Sequence, residues 1–197
     1  MNDSEVITDI LNGNTERYRE IINEYQQIVA DLTYKLCGNR LDIDEVSQRV
    51  FVELYSSLPR FQFKAKLSTF IYRITVNVVS KMLHKESRIV RQTDDAPEII
   101  SSERNVEQAI VHDEQLRQLR QAIGRLKDEQ RTALVLYTYD DFSYNDIAEV
   151  MQCTVAKVES LIFRARKNLR KMLDPGNDKK AAASTQQRNN TTTNHTS

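Results

Sequence analysis

Between Arg60 and Arg73 four cations, Arg60, Lys64, Lys66 and Arg73, alternate with four aromatic rings, Phe61, Phe63, Phe70 and Tyr72. Cations neutralise phosphates, and an exposed ring offers a face on which an unpaired base stacks. This interleaving suits single-stranded nucleic acid better than duplex. Any one of these rings could equally be ordinary core, and spacing alone leaves that open. The charge is harder to explain as packing: residues 60–91 hold eight Lys and Arg against one acid, Glu86. The 197-residue chain as a whole is neutral, with 28 basic and 28 acidic side chains, and residues 1–59 carry five basic groups against eleven acidic ones. One basic block in a neutral chain is a polyanion site or a solvated helix face.

A second constellation lies near the C-terminus. A short amphipathic stretch from Ser143 to Met151 precedes a turn of Gln152, Cys153 and Thr154. A longer stretch follows, with Val155, Val158, Ile162, Ala165, Leu169 and Met172 at alternating spacings of 3 and 4. Short helix, tight turn and longer basic helix form the helix-turn-helix pattern, with a plain helical hairpin as the bland alternative. Each residue turns a helix by ~100°, so the apolar stripe leaves Lys157, Ser160 and Arg164 on the far side and Leu161 at the stripe's edge. These four occupy the N-terminal half, the part that enters a major groove. Arg166, Lys167, Arg170 and Lys171 lie further along, where a helix leaving the groove passes phosphates.

A third feature is the polar face of residues 42–57. Asp44, Glu45, Gln48 and Glu53 stand outside the stripe of Ile43, Val46, Val50 and Leu54, a pattern that by itself means only an amphipathic helix.

Catalytic constellations are not visible. His84, His112 and His195 are scattered, and no Cys/His spacing matches a zinc site. The four glycines stand apart, so no phosphate-cradling loop can be assembled. Neither enzyme activity, metal nor cofactor is expected. Cys37 and Cys153 read as reduced, half-buried small residues. No apolar run approaches the ~18 residues of a membrane helix. The opening MNDSEVITDI lacks the basic and apolar segments of a signal peptide, and the expectation is a cytoplasmic protein.

The elements that must position these residues are all helical. Helical spacing runs from Thr15 to Leu36, ending at Gly38 and Asn39. Asp42, with Glu45 three residues on, can cap the next helix, which Pro59 ends. Residues 60–66 read as a loop, and Ser68 as the cap of a helix that fades after Arg88. Ser102 can cap a helix carrying Val106 to Leu126, and helices at about 128–139, 143–151 and 155–172 follow. The expected fold is all-α: two small helical domains, residues 10–90 and 103–173, joined by a flexible polar linker at 91–102. The polar tail, 174–197, is expected to be disordered.

In this order the segments resemble a known family, the bacterial RNA polymerase sigma factors, and within it the small extracytoplasmic-function (ECF) group. DIDEVSQRVFVELYSSLPRF (42–61) is similar to the region two helix that docks on the polymerase clamp. LSTFIYRITVNVVSKML (67–83) is similar to the helix that reads and melts the minus-ten element, and residues 126–173 are similar to region four, the reader of the minus-thirty-five element. The resemblance implies transcription initiation with core RNA polymerase and promoter DNA as partners, and an anti-sigma factor as a further one. It implies polymerase docking by Asp42, Asp44, Glu45, Gln48 and Phe51. It implies base reading by Asn77, and reception of a flipped base by the loop from Phe61 to Lys66. Lys157, Ser160, Leu161 and Arg164 match the surface that enters the minus-thirty-five duplex. Several residues depart from the family pattern: Phe70 stands where Trp is usual, Lys127 replaces a common proline, and Gln152 replaces a turn glycine where φ > 0 is needed. Glu159 and Leu161 replace frequent basic residues, with a cytosine amine and a thymine methyl as fitting contacts. A non-sigma helix-turn-helix regulator, its first domain serving dimerisation or sensing, is the alternative.

Overall fold

A computed structural model describes residues 2–92 and 110–174. Every long element among them is an α-helix, and none is long and apolar enough to cross a membrane.

The N-terminal lobe is built on α2 (Tyr18–Cys37), α3 (Ile43–Ser57) and α4 (Leu67–Gln92), which pack on one another. Their facing stripes, Ile21, Val29 and Leu32 on α2, Val46, Val50 and Leu54 on α3, and Ile71, Ile74 and Val78 on α4, are buried. Burial of apolar surface at roughly 25 cal/mol per Å² drives this packing. Gly38, at φ +59°, ends α2 in a conformation that a side chain would strain. Asp42 caps α3, its carboxylate accepting from the backbone N–H groups of Asp44 at 2.8 Å and Glu45 at 3.2 Å. Helix α4 begins at Leu67, so Ser68 lies inside it rather than capping it, and it continues past Arg88 to Gln92.

An additional helix, α1 (Asp3–Leu11), precedes the expected domain start. It buries Val6, Ile7 and Ile10, while Tyr25 on α2 donates its hydroxyl to Asp3 at 3.1 Å. Arg17 ties the junction together through Asp9, Glu5 at 3.5 Å and Glu20 at 2.9 Å.

The C-terminal lobe holds α5 (Ile110–Gly124), α6 (Asp128–Tyr139), α7 (Tyr144–Val150) and α8 (Val155–Leu173), with α8 packed on the other three. Ser143 and Asp146 close a reciprocal capping box at the start of α7, and Thr154 caps α8 by accepting from the Lys157 N–H at 3.2 Å. Gln152, in the turn between them, adopts φ +51°.

The two lobes touch. Helix α7 packs on α4 and α6 on α2, and buried residues from both lobes form one continuous apolar cluster. The sequence expectation of two domains on a flexible linker contains no such contact, since apolar periodicity marks an inward face without saying which helix covers it. Residues 93–102 of the expected linker, the helix start at Ser102 and the tail from 175 lie outside the described residues.

Candidate nucleic-acid interface

The aromatic-basic segment begins in a tight turn, Leu58–Arg60, that brings the chain off α3. Phe63 adopts φ +55° and is 47% exposed. Its ring meets Phe61 edge-on at 5.0 Å, and Phe61 lies 5.0 Å from Phe70 at the start of α4. The Arg73 guanidinium stacks 4.8 Å above the Phe70 ring, an arrangement that joins a cation to an aromatic face. Phe61 and Phe70, with Phe63 outside the lining, frame a pocket of about 210 Å³ that also includes Arg60, Lys64, Arg73 and, from α7, Glu149. The cluster is therefore a half-buried platform with positive charge at its edge. Lys66 is exposed next to it. Asn77, exposed on α4, lies two helical turns beyond Phe70 on the same side.

Tyr72 departs from the expected role. Two residues after Phe70 it points some 200° away around α4, toward the C-terminal lobe. Its hydroxyl donates to the Asp140 carboxylate at 3.1 Å and its ring lies 4.7 Å from Phe142. Burial pushes the phenol well above its ordinary range, with the Asp140 charge adding to the effect.

On α3, Asp44, Glu45 and Gln48 are exposed, as their spacing requires. Asp42 is exposed as well, with its carboxylate committed to the cap. Glu45 pairs with Arg49 at 2.7 Å, one turn along. Phe51, expected on the docking face, is buried, because it falls beside Val50 and Leu54 on the inward stripe. Its carbonyl accepts from the Tyr18 hydroxyl at 2.6 Å. The outward stripe instead continues from Gln48 through Val52, 66% exposed, and Tyr55, 43% exposed. Val52 lies four residues after Gln48 and Tyr55 three after Val52, and that spacing was the available signal.

On α8, Arg164, Arg166, Lys167, Arg170 and Lys171 are exposed and Ser160 is half-buried. Lys157 pairs with Glu129 of α6 at 2.7 Å, and that hydrogen bond raises the ammonium pKa above its usual value. Arg166 lies 5.0 Å over the ring of Tyr137. Leu161 is a correction: it is only 6% exposed and belongs to the core. The apolar stripe of a packed helix is wide, and Leu161, three residues after Val158, falls within it. The most exposed large apolar side chain of α8 is Phe163, 68% accessible and ~140° from Val158. An aromatic ring off the apolar stripe is the signal the sequence carries for it.

Comparison with known proteins agrees with this fold. Residues 21–89 match the family model for sigma-70 region 2, and residues 116–169 match that for sigma-70 region 4. The RNA polymerase sigma-H factor of Pseudomonas aeruginosa is 29% identical over 182 residues, covering 88% of this chain and 94% of that protein. The ECF RNA polymerase sigma factor SigW of Bacillus subtilis is 27% identical over 176 residues, covering 85% and 94%. Among solved structures, the sigma factor RpoE bound to the anti-sigma factor NepR from Bartonella quintana shares the fold. It has a TM-score of 0.63 and 19% identity, and covers 80% of this chain and 97% of that one. With regions two and four in order, the first carrying the aromatic-basic pocket and the second the helix-turn-helix, the chain belongs to the sigma-70 family as an ECF sigma factor, which binds core RNA polymerase and directs promoter recognition and transcription initiation.

Proposed function

We propose the following division of labour among its surfaces. The exposed stripe of α3, Asp44, Glu45 and Gln48 continued by Val52 and Tyr55, docks on core polymerase, with Asp42 holding the helix start and Phe51 supporting the helix from beneath. The pocket of Arg60, Phe61, Lys64, Phe70 and Arg73, with Phe63, Lys66 and Asn77 beside it, receives the unpaired minus-ten strand: rings stack on bases and cations meet phosphates. Helix α8 lies in the minus-thirty-five major groove. Lys157, Ser160, Phe163 and Arg164 face base edges, the Phe163 ring suiting a thymine methyl. Arg166, Lys167, Arg170 and Lys171 meet phosphates.

The observation that carries this assignment is the adjacency, within region two, of an acidic exposed helix face and a ring-framed basic pocket. A regulator that only bound duplex DNA would need neither. The chain supplies recognition and strand stabilisation while the polymerase supplies catalysis. It works in the cytoplasm, where polymerase and promoters are. An anti-sigma factor is the fitting further partner, since the RpoE neighbour is described in complex with one. Residues 10–90 and 103–173 are the working units.

Run-off transcription with core polymerase and a promoter library tests the assignment. Core enzyme plus this chain is expected to start transcripts from a subset sharing two elements. DNA binding without any transcript start would favour a plain regulator.

A further inference from the structure

Lys157 does not act on its own. It is the third residue of α8, and its ammonium donates to the carboxylate of Glu129, the second residue of α6, at 2.7 Å. Both ends of this contact are fixed. The Lys157 backbone N–H donates to the capping hydroxyl of Thr154 at 3.2 Å. Further along, Asn168 of α8 donates to Gln130, the buried neighbour of Glu129, at 3.0 Å, which pins the two helices together. Glu129 also lies in the first turn of α6, where the helix dipole favours an acid. A carboxylate is therefore held against the end of α8 that enters the groove, a place where duplex DNA brings only negative charge.

An ammonium is a compact point charge with three donors. Without a partner at the mouth of a groove, it takes any phosphate within reach, and each such contact adds affinity for all sequences alike. Glu129 changes this in two ways. The pair is neutral as a unit, so it releases no counterions when DNA binds. The carboxylate also repels a phosphate oxygen that approaches the same ammonium. Only one of the three donors goes to Glu129, and the remaining two can still meet a neutral acceptor. In the major groove guanine presents two such acceptors side by side, N7 and O6. We propose that Glu129 is a specificity-determining residue that acts through Lys157: it makes this lysine a reader of a guanine edge rather than a phosphate ligand. The discrimination comes from repelling the wrong partner. It rests on the placement of Lys157 at base edges in the minus-thirty-five groove.

The test uses core polymerase loaded with the full-length chain, and promoter duplexes that differ only in the minus-thirty-five element, over a series of salt concentrations. Glu129→Gln keeps an oxygen that can accept from Lys157 and removes the charge. It is expected to tighten binding to a scrambled minus-thirty-five element and to steepen the salt slope by about one, a further three- to fourfold loss between 50 and 200 mM salt. Lys157→Ala is expected to leave the slope unchanged and to remove a preference of roughly fivefold or more for guanine at one position. Adding Lys157→Ala to Glu129→Gln should return the slope to that of the unaltered protein. Glu24→Gln, the same change of charge on the exposed surface of α2, should leave the slope alone, as a distant screened charge does. The side chains of Lys157 and Glu129 are 47% and 61% exposed, and an exposed pair adds little to stability, so the melting temperature of the full-length variants should stay close to that of the unaltered protein. If Lys157→Ala removes the guanine preference but Glu129→Gln moves the slope no more than Glu24→Gln does, the role given to Glu129 alone is overturned. If Lys157→Ala lowers the slope by about one and leaves base preference unchanged, Lys157 is a phosphate ligand, and its placement at base edges fails together with the role of Glu129.

Discussion

The hydroxyl of Tyr72 on α4 reaches across the lobe boundary to the carboxylate of Asp140, 3.1 Å away. Phe70, two residues earlier, belongs to the ring cluster on the other side of the helix. This stretch of α4 thus serves two purposes. Its outward side carries Phe70, Arg73 and Asn77, and its inward side ties the lobes together.

Docking should depend on charge and on the apolar stripe together. Reversing Asp44 and Glu45 in one variant, or substituting Val52→Ala with Tyr55→Ala in another, is expected to weaken capture by core polymerase. All four side chains are exposed, so helix content should persist. Pull-down with core enzyme, alongside circular dichroism, is the measurement. Undiminished capture by both folded variants removes α3 from the docking surface.

Strand melting should separate from closed-complex binding. Phe70→Ala and Asn77→Ala are expected to lower open-complex formation while leaving the closed complex nearly as stable, since these contacts arise only once bases unpair. The loss of one base–aromatic stack is roughly 1–3 kcal/mol. Permanganate reactivity of unpaired thymines reads the open complex. Equal losses at both steps would assign Phe70 to packing alone.

Helix α8 should show three distinct phenotypes. Leu161→Ala, in the core, is expected to cost about 2–5 kcal/mol of stability with no change of promoter preference. Phe163→Ala is expected to leave the melting temperature nearly unchanged and to alter preference at one minus-thirty-five base pair by roughly 1–3 kcal/mol. Arg170→Ala should weaken binding to all sequences alike and reduce the salt slope by about one. Thermal melts and a minus-thirty-five library at two salt concentrations distinguish them. A preference change from Leu161→Ala without destabilisation would contradict its place in the core.

The turn of the helix-turn-helix is strained at Gln152, whose φ of +51° suits glycine. Gln152→Gly is expected to stabilise the protein by about 0.5–1 kcal/mol, the left-handed penalty less the added freedom of the unfolded chain. Urea denaturation measures it, and a lowered midpoint would show that the Gln side chain contributes more than the backbone loses.

The helices and their inward faces were legible because they are periodic. Val46, Val50 and Leu54, and Val158, Ile162 and Ala165, lie where their spacing puts them. The caps at Asp42 and Ser143 were legible because their chemistry is local. Helix α1 was not, since four apolar residues in nine, over little more than two turns, are too few to establish a period. Leu161 was misplaced because a projection at ~100° per residue does not fix how wide the buried stripe is. The width depends on which neighbours cover the helix. Phe51 falls on the inner stripe by its spacing, and only the family resemblance implied a docking role for it. Tyr72 was misplaced for a related reason: nothing local to α4 says that α7 and Asp140 lie against it. The acid in the basic pocket, 76 residues beyond Arg73, depends wholly on that tertiary contact.

Because Phe70 and Tyr72 sit back to back on α4, a genetic screen across this short segment would return two separable classes of allele. Substitutions on the Phe70–Asn77 side would be recovered as loss of transcription by a protein of normal abundance. Those at Tyr72, and at its distant partners Lys35 and Asp140, would be recovered through a loosened junction between the lobes. Pairs drawn from the second group would be epistatic rather than additive, since each breaks the same contact.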